Sequence, residues 1–304
     1  MRTRKHSKKV GVYSKWGYIC IFPFLVGYAA FSLLPLLMTI GNSFFENYRR
    51  GLTQIGPTFV GLDNFAQILS NKDLGVYFQN TIIMWLMGFI PQIVVSLILA
   101  AWFADPQLRL KGTRFFKTVI YMPNLIMASA FASFFFSVFA DAGPINSILM
   151  DLHIIDEPYS FFSHIFSTRV LIAFLSFLRW FGNTTLLLMA GIMNIDTSLH
   201  EAAQVDGATS TEIFFHITLP ILRPIMVYVM ITSLIGGLQL FDVPQILTNG
   251  TGDPMRSSMT LLMYLNNHLY SKNYGAAGAV SVLIFLVTAV LSIVIFRFSE
   301  QKEG

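Results

Sequence analysis

Six long apolar stretches constrain this chain more than any other feature. Each is long enough for a helix to cross a hydrocarbon layer of ~30 Å, which needs about 20 residues. Only 12% of the 304 residues are charged and 54% are hydrophobic, whereas a soluble domain carries about 25% charged residues. Backbone polar groups in lipid need internal partners, so such stretches predict α-helices. The sequence therefore predicts an all-α integral membrane protein with spans at about 17–40, 78–103, 115–139, 170–193, 224–247 and 276–298.

Lys and Arg are distributed unevenly between the connecting segments, and this predicts the direction of the chain. Cytoplasmic segments carry the excess of these residues. If the N-terminus lies inside, thirteen of the 20 fall on inner segments and six on outer segments, and Arg179 lies within a span. Both termini and the loop after the fourth span are therefore predicted to be cytoplasmic. The inner residues are Arg2, Arg4, Lys5, Lys8, Lys9, Lys15, Arg109, Lys111, Arg114, Lys117, Arg223, Arg297 and Lys302.

The composition argues against several functional classes. The single cysteine, Cys20, cannot form an intramolecular disulfide or a Cys/His metal set. The formal charge of +4 comes from residues at span ends and not from a basic stripe, so no nucleic-acid partner is expected. The sequence has no Gly-rich loop ending in Lys-Ser or Lys-Thr, so this chain is not expected to bind ATP itself. No cofactor, metal site or catalytic residue is predicted, and the chain is not expected to be an enzyme.

The loop at about 194–222, here named the elbow, is a polar, helix-forming connection in an apolar chain. Ser198 is the expected N-cap of its first helix, with Glu201 at the spacing of a capping box. Gly207 is expected to end that helix, because glycine adopts a positive φ without steric cost. A second short amphipathic helix is expected to end at Pro220. Two interpretations follow from the residues: a docking surface for another protein, or a loop that lies against the bundle.

Polar residues within the fourth and fifth spans indicate either a cavity or a contact between helices. Arg179 lies near the middle of its span, where insertion of Arg costs ~2.5–3.5 kcal/mol on translocon scales. Gly236 and Gly237 remove bulk, which either lets helices pack closely or leaves room for a ligand. The residues alone do not decide between a cavity for a ligand and a close contact between helices. If the helices pack closely, Arg179 would pair with a carboxylate such as Asp242.

The elbow sequence resembles a known motif. Glu201-Ala202-Ala203-Gln204-Val205-Asp206-Gly207-Ala208, followed by Ile217-Thr218-Leu219-Pro220, is similar to the EAA loop of ABC-importer permeases. Its form resembles the maltose-permease-like branch, which takes up carbohydrates with an extracytoplasmic binding protein. Similar stretches at Phe59–Phe65, Leu247–Gly250 and Asn273–Ala279 extend the resemblance over about 17–298. One departure is Gly250-Thr251-Gly252-Asp253-Pro254, where the family often has Gly-Gly-Pro.

The resemblance implies a fold and an organisation. The fold is the six-helix transmembrane domain of a type I ABC importer in a bacterial-type cell membrane. Residues 1–16 and 299–304 would be cytoplasmic tails on either side of a permease domain at 17–298. The elbow would be a coupling helix in a groove of a cytosolic ATPase subunit, with Glu201 as its charged contact and Gly207 as its turn. The coupling residues so implied are Glu201, Ala202, Ala203, Asp206, Gly207, Ala208, Leu219 and Pro220.

The resemblance also implies a sugar pathway through the middle of the fourth and fifth spans. Amide, guanidinium and aromatic side chains suit sugar hydroxyls and ring faces, and matching positions in maltose-like permeases contact substrate. The pathway residues chosen on these two grounds are Arg179, Trp180, Asn183, Ser233, Gly236, Gly237, Gln239 and Leu240. An Arg in the pathway raises the alternative of an acidic saccharide or a sugar phosphate.

The predicted function is therefore that of a permease subunit in an ATP-driven importer of sugars or oligosaccharides. The implied partners are a second homologous permease, two cytosolic ATPase subunits, an extracytoplasmic binding protein, a carbohydrate and membrane lipid. A different class, the ion-coupled secondary transporter, would need acidic residues at mid-span. Only Asp242 comes close, and it lies toward the outer end of its span.

Overall fold

The computed structural model describes residues 13–105, 108 and 111–300, which are mostly helical, with one two-stranded hairpin and irregular connections between the elements. Residues 1–12 and 301–304 of the predicted tails, and Arg109, lie outside these ranges. The helices are α1 (Tyr13–Tyr28), α2 (Leu34–Asn42), α3 (Asp63–Ser70), α4 (Lys72–Ala104), α5 (Thr113–Leu125), α6 (Ala128–Val138), α7 (Pro144–Asp151), α8 (Ile165–Met193), α9 (Thr197–Val205), α10 (Ser210–Ile213), α11 (Leu219–Ile221), α12 (Arg223–Leu238), α13 (Asp242–Leu247), α14 (Leu261–Tyr270) and α15 (Tyr274–Glu300). Two π-helical segments, Ala29–Leu33 and Phe214–Thr218, connect α1 to α2 and α10 to α11, and the strands are β1 (Phe45–Arg50) and β2 (Thr53–Phe59).

The predicted spans correspond to long apolar helices. Among the described residues, five helical stretches have the length and composition to cross a membrane, and a bent pair of helices makes a sixth if it counts as one span. This confirms the all-α membrane class. The five stretches are Lys15–Asn42, Lys72–Ala104, Ile165–Met193, Arg223–Leu247 and Tyr274–Ser299.

The third predicted span is two helices and not one. The axes of α5 and α6 differ by 95°. The break lies at Ile126 and Met127, whose ψ angles of 134° and 132° are not helical. Pro123 lies in the last turn of α5, where the absence of a backbone N–H already weakens the helical ladder. The apolar sequence of this span, with its one proline, therefore did not predict the turn of 95° between α5 and α6.

The fifth predicted span is also interrupted. Helix α12 ends at Leu238, and α13 begins at Asp242 after non-helical residues that include Phe241, with φ −136° and ψ −62°. The two glycines in the last turn of α12 have low helix propensity. The carbonyl of Leu240 instead accepts a hydrogen bond from Thr260 Oγ1 at 2.8 Å. The predicted span at 224–247 therefore corresponds to the apolar stretch Arg223–Leu247, with a break in its helix after Leu238.

The aromatic segment Phe161–Phe166 does not form a separate outer helix. Residues 161–163 make a turn, and Ile165 is the first residue of α8. The hydroxyl of Thr168 donates to the carbonyl of His164 at 2.9 Å, which ties the turn to the first turn of α8. The aromatic run therefore belongs to the entry of a spanning helix.

One compact unit contains the described residues up to Ile68 together with His268–Val282. Its hairpin pairs β1 and β2 in antiparallel register, with Phe45 opposite Phe59. Asn64 is 9% exposed, and its Nδ2 donates to the carbonyls of Ser43 at 2.9 Å and Phe45 at 3.0 Å. The hairpin was not predicted, because its short strands are mostly polar.

The other compact unit contains Leu69–Asn267 and the described residues from Leu283 onward. Its centre is the pair α4 and α8. Gln92 Nε2 donates to Thr184 Oγ1, and Ser96 Oγ donates to the carbonyl of Phe181, both at 2.8 Å. At Gly88 the helices approach so closely that a side-chain carbon would lie 2.9 Å from the carbonyl oxygen of Ala173. These contacts make α4 and α8 a tightly joined wall.

Within the same unit, the connection between α13 and α14 is held from a distance. This connection, Thr248–Thr260, is here named the bridge segment. Asn80 Nδ2, on α4, donates to the carbonyls of Arg256 at 3.0 Å and Met259 at 3.2 Å. Arg169, on α8, donates through Nε to the carbonyl of Ser257 at 3.0 Å and through Nη2 to Asn80 Oδ1 at 2.6 Å. Two helices therefore determine the path of a connection that is distant from them in sequence.

Candidate functional site

A cavity of about 380 Å³ lies between α4, α8 and α12. Ligand sites have volumes of about 300–1,000 Å³ and combine apolar walls with a few polar groups. This cavity has that composition, with aromatic rings on all three helices and hydroxyl, amide and guanidinium groups between them. Its lining is Trp85, Gly88, Phe89, Gln92, Ser176, Arg179, Trp180, Asn183, Thr184, Leu187, Tyr228, Val229, Thr232, Ser233, Gly236, Gly237 and Leu240.

The structure brings the pathway residues chosen from the sequence together, with one exception. Arg179, Trp180 and Asn183 lie on the α8 wall. The α12 side contributes Ser233, Gly236, Gly237 and Leu240. Gln239 is exposed and does not line the cavity. It follows the last residue of α12, so the helix that would have directed it inward has already ended.

Arg179 does not form the direct ion pair with Asp242 that the sequence left open. In the part of the chain that the structure describes, the ion pair within 4.0 Å is Arg256 with Asp73. Asp242 contributes only a longer-range favourable interaction with the Arg179 guanidinium. Arg179 Nε is buried without a hydrogen-bond partner, and its backbone carbonyl accepts from Asn124 Nδ2 at 3.1 Å. The cation is therefore positioned by packing and not by a neighbouring carboxylate.

The adjacent glycines of α12 have different surroundings. A side-chain carbon at Gly236 would meet no atom within 4 Å, so this position borders open space. A side-chain carbon at Gly237 would overlap the ring of Trp85, so this position is a close contact between α12 and α4. Gly237 is therefore a close helix contact, and Gly236 borders the cavity.

Sequence reasoning missed the entire α4 wall. Trp85, Phe89 and Gln92 lie in a span whose apolar residues have no clear helical stripe, and nothing in the sequence pattern separates them from lipid-facing positions. Tyr228 and Thr232 were missed on α12, although Tyr228, Thr232 and Gly236 follow one another at intervals of four residues, which places them on one face of the helix. Their helical spacing was the one available signal.

The first half of the elbow is a helix with a capped start and a glycine stop. Asp196, and not Ser198, is its N-cap, and the Asp196 carboxylate accepts from the backbone N–H of Ser198 at 2.9 Å. This hydrogen bond lowers the pKa of the Asp196 carboxyl. Gly207 has φ +85°, with N–H bonds from Gly207 to Gln204 at 3.0 Å and from Ala208 to Ala203 at 2.9 Å. This is a Schellman ending, which favours glycine.

The second half of the elbow contains the capping box that was expected in the first. Glu212 Oε2 accepts from the backbone N–H and the hydroxyl of Thr209 at 2.7 and 2.8 Å, and Thr209 Oγ1 accepts from the Glu212 N–H at 3.3 Å. The hydrogen bond from the Thr209 backbone, followed by that from its side chain, lowers the pKa of the Glu212 carboxyl. The helical path then continues through the π-helical segment to Ile221, so it does not end at Pro220 as expected.

The elbow presents apolar and acidic groups to its surroundings. Val205 is 88% and Leu199 is 46% exposed, while Ile213 and Leu222 are buried beneath. His200 Nε2 and Thr218 Oγ1 lie 3.2 Å apart and link the two halves. Of the coupling residues implied by the resemblance, Glu201, Ala202, Asp206, Gly207 and Pro220 are exposed, and Ala203, Ala208 and Leu219 are half-buried.

Comparison with known proteins places the chain among transport components. Residues 92–303 match the profile of the family described as binding-protein-dependent transport system inner membrane component. The lactose transport system permease protein LacF of Rhizobium radiobacter is 32% identical over 305 residues, covering 100% of both chains. The arabinooligosaccharides transport system permease protein AraP of Bacillus subtilis is 28% identical, covering 94% of this chain and 89% of that one.

The fold also matches a solved structure. A chain from a bacterial ABC transporter involved in the import of the acidic polysaccharide alginate superposes with a TM-score of 0.79. The match covers 95% of this chain and 96% of that chain at 19% sequence identity. At that identity the likeness concerns the fold.

Proposed function

This chain belongs to the family of inner membrane components of binding-protein-dependent transport systems, and from that premise we propose that it is the sugar-conducting permease subunit of its importer. The family consists of transport components and not of enzymes. The chain is accordingly a multi-pass membrane permease that works with a binding protein. The proposal concerns which molecule the chain conducts and which residues form the pathway.

The cavity between α4, α8 and α12 carries the proposal. Its lining contains the α8 and α12 residues that the sequence assigned to a sugar pathway, apart from Gln239. Hydroxyl and amide groups such as Ser233 and Asn183 can hydrogen-bond sugar hydroxyls, and the aromatic rings can cover the apolar faces of a sugar ring. LacF and AraP, the two relatives compared above, are transport permeases for lactose and for arabinooligosaccharides by name.

A neutral sugar or oligosaccharide is favoured over an acidic one. Lactose and arabinooligosaccharides carry no ionisable group, and both names come from relatives at 28% identity or more. The alginate importer shares 19% identity, and Arg179 alone does not identify a charged substrate, since a guanidinium also donates to neutral hydroxyls. An ion-coupled secondary transporter is disfavoured by the family itself.

The remaining parts of the machine are proposed from the same family. A second permease would complete the pathway, and two cytosolic ATPase subunits would bind ATP. The elbow would dock on one ATPase through its exposed face, with Glu201, Ala202, Ala203, Asp206, Gly207, Ala208, Leu219 and Pro220 as coupling residues. Residues 17–298 would act as the permease domain, with the termini and the elbow in the cytoplasm.

Uptake by the purified importer in proteoliposomes tests the proposal. The chain is purified with its permease and ATPase partners, and labelled lactose and arabinotriose are supplied with the binding protein of the importer. We expect uptake that requires both ATP and the binding protein. Uptake that proceeds without ATP, or no uptake of any sugar by an intact complex, would overturn it.

The docking role of the elbow has its own test. Val205→Asp places a charge at an 88% exposed position, so the folded chain should be unaffected. We expect the variant to retain its thermal stability and to lose co-purification with the ATPase. Thr211→Asp, an exposed change on the same elbow, serves as a charge-matched control. Equal ATPase recovery with both variants and the wild type would place the ATPase contact elsewhere.

A further inference from the structure

Three contacts determine the position of Trp85 in the cavity wall. Its indole Nε1 donates to Ser233 Oγ at 3.1 Å. Its ring stacks on Phe89, with centroids 5.3 Å apart and planes inclined by 19°. On the α12 side its Cδ1 and Cγ occupy the place where a side chain at Gly237 would be. The indole is therefore held by contacts from α12 and from its own helix, α4.

The same contact joins two walls of the cavity. Within the described residues, the bond from Trp85 to Ser233 is the only side-chain hydrogen bond between α4 and α12. By contrast, α4 and α8 are joined through both Gln92 and Ser96. The elbow is continuous with α8 at its start and with α12 at its end. Trp85 is the α4 residue whose side chain is hydrogen-bonded to α12.

An indole held in this way suits the apolar face of a sugar ring. Trp presents a large, rigid apolar surface. With one face of Trp85 stacked on Phe89 and its N–H bonded, the part of the ring that lines the cavity is left for contact. A side chain that is already ordered loses little conformational freedom when a ligand binds. Trp180, the aromatic residue chosen from the sequence, is 44% exposed. In the described part of the chain, no comparable set of contacts fixes its ring.

We propose that Trp85, seated on Gly237 and tethered by Ser233, is the stacking residue that determines which sugar rings the cavity admits. The inference rests on the proposed sugar transport, and it adds a specificity-determining residue on the wall that the sequence did not reveal. Ser233 and Gly237 act as positioning residues, because their effect on a sugar would pass through the indole.

Substitution of Trp85 in the complete importer tests the proposal. The complex is reconstituted in proteoliposomes with saturating loaded binding protein, and the probe is lactose, or arabinotriose if it is imported faster. Trp85→Ala should lower sugar uptake about tenfold, the factor equivalent to ~1.4 kcal/mol and the upper range for an aromatic contact. Trp85→Phe keeps a ring and should lose only about two- to threefold. ATP hydrolysis stimulated by the binding protein should persist in both, because the elbow is unchanged.

The two glycines provide a matched pair for the positioning role. Trp16, Trp102 and Trp180 are replaced by Phe so that fluorescence reports Trp85 alone. Gly237→Ala adds a methyl group against the indole and should shift the emission maximum. Gly236→Ala adds the same group to open space and should leave the emission unchanged. A shift of equal size in both would show that Gly237 does not seat the indole.

The outcomes separate this proposal from the function on which it rests. A wild-type complex that imports no sugar defeats the proposed function. A wild-type complex that imports sugar, with Trp85→Ala uptake within twofold, defeats the role of Trp85 alone. If Trp85→Ala does not assemble with its partners, sugar uptake by Trp85→Phe and Gly237→Ala decides the role of Trp85. Uptake at the wild-type rate in both of these variants, for lactose and arabinotriose alike, overturns the proposal.

Discussion

The elbow and the bridge segment are both connections outside the apolar helices, and their hydrogen bonds come from different places. In the elbow they are local, as in the pairs of Thr209 with Glu212 and of Ala208 with Ala203. In the bridge segment they come from Asn80 and Arg169, which are far away in the sequence. Ser258 and Thr260 of the bridge segment are fully buried, whereas most of the elbow is exposed.

This difference shows how one chain can contain one connection that is rigidly fixed and another that can move as a unit. A connection held by distant helices cannot move unless those helices move or its hydrogen bonds break. A connection with only local hydrogen bonds can move as a body, because its internal bonds move with it. Substitutions in the bridge segment network should therefore lower global stability, and substitutions in the elbow should lower coupling while global stability is kept.

The largest effect on stability is expected for Asn80→Ala. Asn80 is 2% exposed and makes three hydrogen bonds, two as donor and one as acceptor. Their loss leaves buried carbonyls without donors and should cost about 3 kcal/mol or more. Thermal unfolding in detergent measures it. Asn124→Ala, which removes a single bond to the Arg179 carbonyl, is the control and should cost about 1 kcal/mol. Equal losses would mean that the bridge segment is not held through Asn80.

A smaller effect is expected for Arg169→Met, which keeps the length of the side chain and removes its donors. Two carbonyl-type oxygens, on Ser257 and Asn80, lose charged donors, and we expect a loss of about 2 kcal/mol. Arg256→Met removes the ion pair with Asp73, whose side chains are 64% and 54% exposed, and should cost less than about 1 kcal/mol. Comparable melting temperatures for the two variants would contradict this ranking.

In the elbow, Gly207→Val should affect transport more than stability. A β-branched residue at φ +85° is strained by about 1–2 kcal/mol, and the strain is confined to the turn. ATP-driven uptake is expected to fall about five- to tenfold, with an unchanged melting temperature. Gly75→Val introduces the same side chain into an exposed helical position with open space around it, so its uptake should stay near the wild-type rate. A clear drop in the melting temperature of Gly207→Val would show that the elbow is part of the global fold.

The smallest effect concerns pH. Hydrogen bonds lower the pKa values of Asp196 and Glu212, so both caps stabilise the folded elbow at pH above the ordinary carboxyl range of about 4. Their contribution should be lost as the pH falls through the lower folded-state values. Hydrogen exchange of the elbow amides, corrected for intrinsic rates, should show protection that weakens below about pH 4. Asp196→Asn combined with Glu212→Gln should remove this dependence.

Much of the fold followed from local patterns, and the errors have physical causes. The spans were predictable because a helix must satisfy its own backbone in lipid. The bend between α5 and α6 and the break before Asp242 were not, since a freed carbonyl needs a partner such as Thr260 that only packing supplies. In the elbow the glycine stop was predicted, but two residues able to cap lie close together and Asp196 took the position expected for Ser198.

The candidate site likewise contains residues that the sequence could identify and residues that it could not. The sequence marked Arg179, Asn183 and Ser233, because polar groups at mid-span are costly and therefore conspicuous. It could not identify Trp85, since an aromatic residue in an apolar span is compatible with a position facing lipid, in a core or at a cavity wall. It also could not place Gln239, whose direction depended on where α12 ended.

The sequence by itself determined a helical membrane protein, the position of an exposed elbow and the helices that carry polar groups. These are properties of short segments, governed by hydrophobicity, helix propensity and turn chemistry. The tertiary structure alone decided that α4 closes the cavity, that Gly237 receives an indole and Gly236 faces open space, and that Asn80 and Arg169 hold the bridge segment. Those outcomes depend on which helix faces come together, and that depends on packing among residues far apart in the chain.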